Sequence, residues 1–156
     1  MRDLGIFIDT DLSMRSHVQR TVAGCFAVLR PLRSVWQSVP SSVFQTLMVG
    51  LVLMKLDFGN ATLAGLPTYI LNRLQSVLNA AAWSIAGLRQ SDHVTDTLAS
   101  FHWLHASEHI NFKLAVLVYR ALHGTAPRYL SDLLCRIADL PSCRLSSSTV
   151  GDFQPT

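Results

Sequence analysis

The spacing of apolar positions along the chain changes period once, close to its start. Leu4-Gly-Ile-Phe-Ile8 is a short run of β-type residues, closed by the turn-forming Asp9-Thr-Asp-Leu-Ser13, and predicts a strand. From Ser13 the pattern is helical. Val18, Val22, Cys25, Phe26, Leu29, Leu32 and Trp36 recur on one face, with Ser13 as the expected N-cap. Pro31 falls inside this run, where it lacks an amide donor and crowds the preceding turn, so a kink or break is expected over residues 27–31. Pro40-Ser-Ser restarts the chain. Residues 43 to about 60 predict a second helix, apolar almost all round, as a central core helix would be, with Gly50 placed for a close neighbour.

Leu63-Ala-Gly-Leu-Pro67 is a stop and then a helix start. The third helix, about 68 to 86, has the cleanest pattern: Ile70, Leu71, Leu74, Val77, Leu78, Ala81 and Ile85 share one face. Asn72, Ser76, Asn79 and Trp83 lie opposite. Trp83 on a polar face has two readings, a cover for a later segment of the core or a stacking contact for a partner. Residues 89–104 form a connection, with a short helical piece near 94–100. A fourth long helix runs from 107 to about 124, where Gly124 and Pro127 end it. Its apolar face is wide, leaving His109, Lys113, Val116, Arg120 and His123 as a narrow stripe. Residues 128 to about 140 predict a shorter fifth helix, and 141–156 a disordered tail. The expected fold is mainly α: a bundle of about five helices over 13–140 with one short N-terminal strand and turn over 1–12.

Composition adds to this picture. Of 156 residues 49% are hydrophobic and 15% charged, too few charges to cover a small domain. Part of the apolar surface is therefore expected to lie against something outside this chain. A lone strand has no ladder to complete, so its partners are expected upstream, in the sheet of a larger protein. Cys25, Cys135 and Cys143 are odd in number without CxxC spacing, which fits a reduced, intracellular compartment, nuclear or cytoplasmic. Residues 34–54 carry no charge, but Pro40 and several Ser and Gln interrupt them, so no membrane partner is expected.

Candidate chemistry is sparse. His105-Ala-Ser-Glu108-His109 matches H-x-x-E-H, yet Glu108 is the only glutamate in the chain and the context is a helix start, so the histidines read as solvated. Asp9 and Asp11 form a D-x-D pair, which reads as a turn rather than a Mg²⁺ site. No nucleophile elbow, P-loop or dinucleotide fingerprint is present. No catalytic residue, metal site, cofactor or small-molecule substrate is assigned. The net charge of +3 and pI near 9.0 permit a nucleic-acid partner without demanding one.

Several blocks, in order, carry a family likeness: Leu4-Gly-Ile-Phe-Ile-Asp, Leu56-Asp-Phe-Gly-Asn60, Leu63-Ala-Gly-Leu-Pro67, Arg73-Leu-Gln-x-Val-x-Asn-Ala-Ala, His102-Trp-Leu, Ile110-Asn-Phe-Lys113 and Tyr119-Arg-Ala-Leu-His-Gly-Thr-Ala-Pro-Arg-Tyr-Leu. Over about residues 4–148 the chain resembles the region after the polymerase palm in reverse transcriptases of LINE-type (non-LTR) retrotransposons, the jockey-like group in particular. The resemblance implies a thumb-like helical region of an RNA-directed DNA polymerase. The catalytic aspartates of that family lie upstream, so no polymerase activity is expected from this chain alone. The implied partners are RNA–DNA or DNA duplex, bound weakly and without sequence preference, and the palm and fingers of the same polymerase. The family usually has Cys at Gly59, Arg at Trp83, Pro at His105 and Arg at His109, and keeps a continuous helix at Pro31. Helix faces nominate Arg73, Arg89, Lys113 and Arg120 as phosphate contacts, with Trp83 as a stacking contact. The alternatives are a non-enzymatic helical interaction module and an inert remnant of a decayed mobile element.

Overall fold

The turn that precedes the first long helix explains where that helix begins. Asp9 Oδ2 accepts hydrogen bonds from the Ser16 amide (3.0 Å) and the Ser13 hydroxyl (3.3 Å), and Asp11 Oδ1 accepts from the Ser13 amide (3.1 Å). A carboxylate at a helix N-terminus meets amides that have no partner within the helix, and it sits at the favourable end of the dipole. In this computed structural model, which describes residues 2–89, 92–132 and 134, helix α1 accordingly spans Arg15–Val35. Met14, left-handed at φ 56°, occupies the cap position, so Ser13 is not the N-cap and Asp9 does the capping.

α1 runs unbroken through Pro31, against the expected break. The acceptor that Pro31 deprives is the Ala27 carbonyl. Both residues are exposed, so water can take the place of the missing donor. Two compact units divide the chain, Met1–Leu114 and Ala115–Thr156.

In the first unit, a mainly helical fold carries a short N-terminal strand, as expected. The strand is shorter than the apolar run that predicts it. Nor is it alone, as the expectation of partners upstream had it: β2 (Ile6–Phe7) pairs antiparallel with β1 (Arg2–Asp3) within the chain, because Leu4 (φ 43°) and Gly5 (φ 89°) make a left-handed two-residue turn. The hairpin rests on α1: the Phe7 amide donates to His17 Nδ1 (3.4 Å), and the Arg20 guanidinium lies 4.2 Å from the Phe7 ring centroid.

After a 3-10 turn at Trp36–Ser38, the predicted second helix is one rod in three pieces: α2 (Ser41–Met48), a π-helical turn (Val49–Leu53) and α3 (Met54–Asp57). It is not a central helix. Phe44, Met48, Val52 and Leu56 are buried on one side, whereas Val43, Leu47, Leu51, Met54 and Phe58 are 36–65% exposed on the other. An all-round apolar pattern cannot say which side meets the core. Gly50, expected beside a close neighbour, faces open space.

α4 (Thr68–Ala86) matches its predicted bounds and buries Ile70, Leu74, Val77, Leu78 and Ala81. It packs along α1 in the same direction: Arg15 lies over Tyr69 near the two starts, and Arg33 reaches Ala80 and Ser84 near the two ends. Their shared core, with Cys25, Leu29, Met48, Val52 and Ile110, is one cluster. α5 (Thr95–Ser100) buries Leu98, and α6 (Ala106–Leu122) begins where Glu108 Oε2 accepts the His105 amide (2.9 Å).

In the second unit, the Thr125 amide donates to the Arg120 carbonyl (3.0 Å) around left-handed Gly124, and α7 (Arg128–Ser131) starts after Pro127. The expected continuation of this fifth helix to about 140, Cys135, Cys143 and the predicted tail over 141–156 all lie outside the described residues. Among the described residues, no helix is long and apolar enough to cross a membrane.

Candidate nucleic-acid interface

Neither α1 nor α4 carries a single Asp or Glu, although they are the two longest helices among the described residues. The asymmetry extends along the chain. Between Asp11 and Asp92 there is one acidic residue, Asp57, against seven Arg or Lys, so residues 12–91 have a net charge of +6 while the remainder has −3. Asp57 is fully engaged: it accepts from Asn60 Nδ2 (2.9 Å) and lies 3.1 Å from His109 Nδ1 and 3.3 Å from Lys113 Nζ. That leaves the α1–α4 pair as a basic face with no acidic side chain of its own.

The seam between these helices has two distinct ends. At the N-terminal end, the exposed Arg15 lies 5.7 Å from the Tyr69 ring centroid, and exposed Arg73 is one turn beyond Tyr69 on α4. At the C-terminal end is a cavity of about 500 Å³, lined from α1 by Phe26 and Arg33, from the turn after it by Trp36, and from α4 by Asn79 and Trp83. Arg33 is fixed in place: Nε donates to Ser84 Oγ (2.8 Å) and Nη2 to the Ala80 carbonyl (3.3 Å). Gly87 ends α4 at φ 64°, and a Cβ there would stand 3.9 Å from the Trp36 ring, so Trp36 closes over the helix end.

Of the residues nominated from the sequence, Arg73 and Trp83 share one stripe of α4, ten residues apart, with Ser76 and Ala80 between them. Trp83 is half-buried, and its indole N–H donates to the Asp92 carbonyl (3.2 Å), so it both holds the loop after α4 and lines the cavity. Arg89 is exposed in a turn closed by its own backbone and Asp92: its amide donates to Asp92 Oδ2 (2.8 Å) and its carbonyl accepts the Asp92 amide (3.0 Å). Lys113 is paired with Asp57 rather than presented to solvent alone. The narrow polar stripe of α6 thus points at α3 through His109 and Lys113, while Phe112, beside the apolar face in the sequence pattern, is 60% exposed. Arg120 belongs to the second unit.

Sequence reasoning does not reach Arg15, Arg33, Trp36, Phe26 or Tyr69 as site residues. The run of 80 residues with a single acid is the signal for the first two; nothing in the periodicity marks Trp36 as part of a cavity.

Other candidate groups have separate employment. Asp9, with the Ser16 hydroxyl and amide foremost around it, is held below the ordinary carboxylate pKa, and Ser13 does the same for Asp11. Both carboxylates serve the start of α1. Glu108 caps α6 while His109 turns to Asp57, so the H-x-x-E-H residues do not converge. Among the described residues no three His, Cys, Asp or Glu side chains are grouped to hold a metal. Cys25 is buried, its thiol pushed up in pKa by burial and directed at the Val52 carbonyl (3.9 Å). A second cavity of about 290 Å³, between the rod, α4 and the start of α6, is walled by Leu53, Leu74, Leu78 and Trp103 with Asp57 and His109 at one side; among the described residues, no Ser, Thr or Cys nucleophile lines it. Protein-family models, curated proteins and solved structures, each compared with this chain, give no match.

Proposed function

We propose that this chain is a non-catalytic, thumb-like helical piece of a LINE-type reverse transcriptase, and that it binds template–primer nucleic acid without sequence preference. The observation that carries this reading is the acid-free α1–α4 face, with Arg15 and Arg73 exposed at one end and Arg33, Trp36 and Trp83 around a cavity at the other. Phosphate binding needs several cations on one face, and the Asp9 and Asp11 carboxylates at the start of α1 are taken up by Ser13 and Ser16. Stacking needs aromatic faces beside those cations. The ordered sequence blocks that resemble the post-palm region supply the polymerase context, and the catalytic residues belong to the palm upstream.

The test is fluorescence anisotropy of a labelled RNA–DNA hybrid across a salt series, with folding verified by circular dichroism. Binding is expected to fall steeply with salt. Charge reversal at Arg15 and Arg73 together is expected to weaken it by about tenfold or more at low salt. Binding that ignores salt, or that survives the double reversal unchanged, overturns the reading.

A second reading has its own observation. Val43, Leu47, Leu51, Met54 and Phe58 form an exposed apolar stripe along the rod, suited to a protein partner such as the upstream palm. Association through that stripe would respond weakly to salt.

A further inference from the structure

We infer that the cavity between the C-terminal ends of α1 and α4 is a pocket for one unpaired nucleobase, so that the chain holds a single-stranded nucleotide and not only a duplex backbone. The inference rests on the reading that this face meets nucleic acid, and deepens it.

The chemistry of the lining narrows the ligand. Three aromatic side chains, Phe26, Trp36 and Trp83, meet in a space of about 500 Å³, within the range of roughly 300–1,000 Å³ typical of small-ligand sites. The polar groups among them are mostly spoken for. Ser76 Oγ donates to the Arg73 carbonyl, Ser84 Oγ donates to Ala80 while accepting from Arg33, and Asn79 Oδ1 accepts from Gln75 Nε2 (2.8 Å). What Asn79 still offers is its NH₂, a donor. Arg33 offers a guanidinium held by two hydrogen bonds, which presents a plane for stacking.

A site built from aromatic faces, a fixed guanidinium plane and an amide donor, with no carboxylate in its lining, suits a flat ring bearing carbonyl acceptors. It lacks the acidic ligands a cation would need. A purely aliphatic guest would leave the Asn79 and Arg33 donors desolvated without partners. A bare phosphate would make no use of the rings. A nucleobase uses all three features.

Phosphate anchors sit at the right places. Arg73 lies one turn, about 4.5 Å of helix rise, before Ser76 at the cavity edge on the same stripe of α4. Exposed Arg30 lies one turn before Arg33 on α1. A base inside a duplex is stacked on both faces and cannot enter, so the ligand is a single strand or the overhang beside a duplex.

The experiment compares two probes on the whole chain: a labelled dT oligomer, whose bases stack poorly on one another, and a blunt RNA–DNA hybrid. The dT oligomer is expected to bind and to quench tryptophan fluorescence, with Trp103 as the reference outside the cavity. Trp36→Ala and Trp83→Ala are each expected to weaken dT binding by about 5- to 100-fold, and to weaken hybrid binding by a clearly smaller factor. Trp83 also holds the Asp92 loop, so Trp36→Ala, at a 44% exposed residue, and Ser76→Phe, which fills the cavity from its exposed edge, carry the test if Trp83→Ala does not fold. Unchanged dT binding in folded Trp36→Ala and Ser76→Phe overturns the pocket. Equal losses for both probes also overturn it, in favour of a backbone grip. Hybrid binding with no dT binding removes the pocket and leaves the proposed function standing. Binding of neither probe removes both.

Discussion

Asp57 shows how one side chain can decide what its neighbours are able to do. It ties the end of α3 to the 3-10 turn after it through Asn60 and to α6 through His109 and Lys113, and so withdraws a lysine that helix geometry offers to phosphate. Asn60 is only 6% exposed. Asp57→Ala leaves its amide without an acceptor in the interior, and is expected to destabilise the fold by about 1–3 kcal/mol, read from the urea midpoint. The same variant frees the already exposed Lys113 from its ion pair, so hybrid binding is expected to hold or rise. His17 is the other decisive residue. It is 4% exposed and accepts the Phe7 amide at Nδ1, and burial lowers its pKa below the ordinary 6.5. The unfolded chain therefore takes up the proton first. Stability from this group is fully present above pH 6.5 and is lost as pH falls below it toward the lower folded-state value. Urea midpoints are expected to drop between about pH 7.5 and about pH 5.5, and His17→Gln, which keeps an acceptor but cannot titrate, is expected to remove that part of the drop.

At the scale of elements, α1 and the rod both depart from what their sequences predict, and for related reasons. Pro31 breaks a helix when its orphaned acceptor is buried; here the acceptor belongs to exposed Ala27, and tertiary contacts through Cys25, Leu29 and Leu32 hold the helix on both sides. Pro31→Ala restores the amide donor at a solvent-facing position. A gain of about 1–3 kcal/mol is expected, measured by thermal or urea unfolding; a loss would mean that the ring itself packs. In the rod, burial on one side only leaves Val43, Leu47, Leu51, Met54 and Phe58 facing outward. The π-helical turn at Val49–Leu53 has no counterpart in the apolar spacing, since one widened turn shifts the register by a single residue. By contrast α4 is legible to the residue, because Pro67 and Gly87 bound it and its apolar face has one period throughout.

For the molecule as a whole, charge is segregated along the chain: residues 12–91 hold +6 and the rest −3. If Arg15, Arg30, Arg73 and Arg89 each neutralise one phosphate, a plot of log affinity against log salt has a slope of about −3 to −4. A slope near zero would instead favour the apolar stripe as the working surface. The candidate site is half legible in the sequence. Arg73 and Trp83 can be picked out there, since both sit off the apolar face of a well-bounded helix. Arg33 and Trp36 cannot, since they are roughly 50 residues away from Trp83 along the chain and meet it only when α1 and α4 lie side by side.

The sequence by itself determined that the chain is mainly helical, the bounds of α4, those of α6 to within two residues, and that the central stretch is basic, because periodicity, proline, glycine and formal charge are local properties. Only the tertiary structure decided which side of the rod is buried, that Asp9 rather than Ser13 caps α1, that Asp57 claims Lys113, and that two tryptophans and an arginine share a cavity. Each of those depends on groups brought together across the fold, and burial or pairing of one group is set by what the rest of the chain places against it.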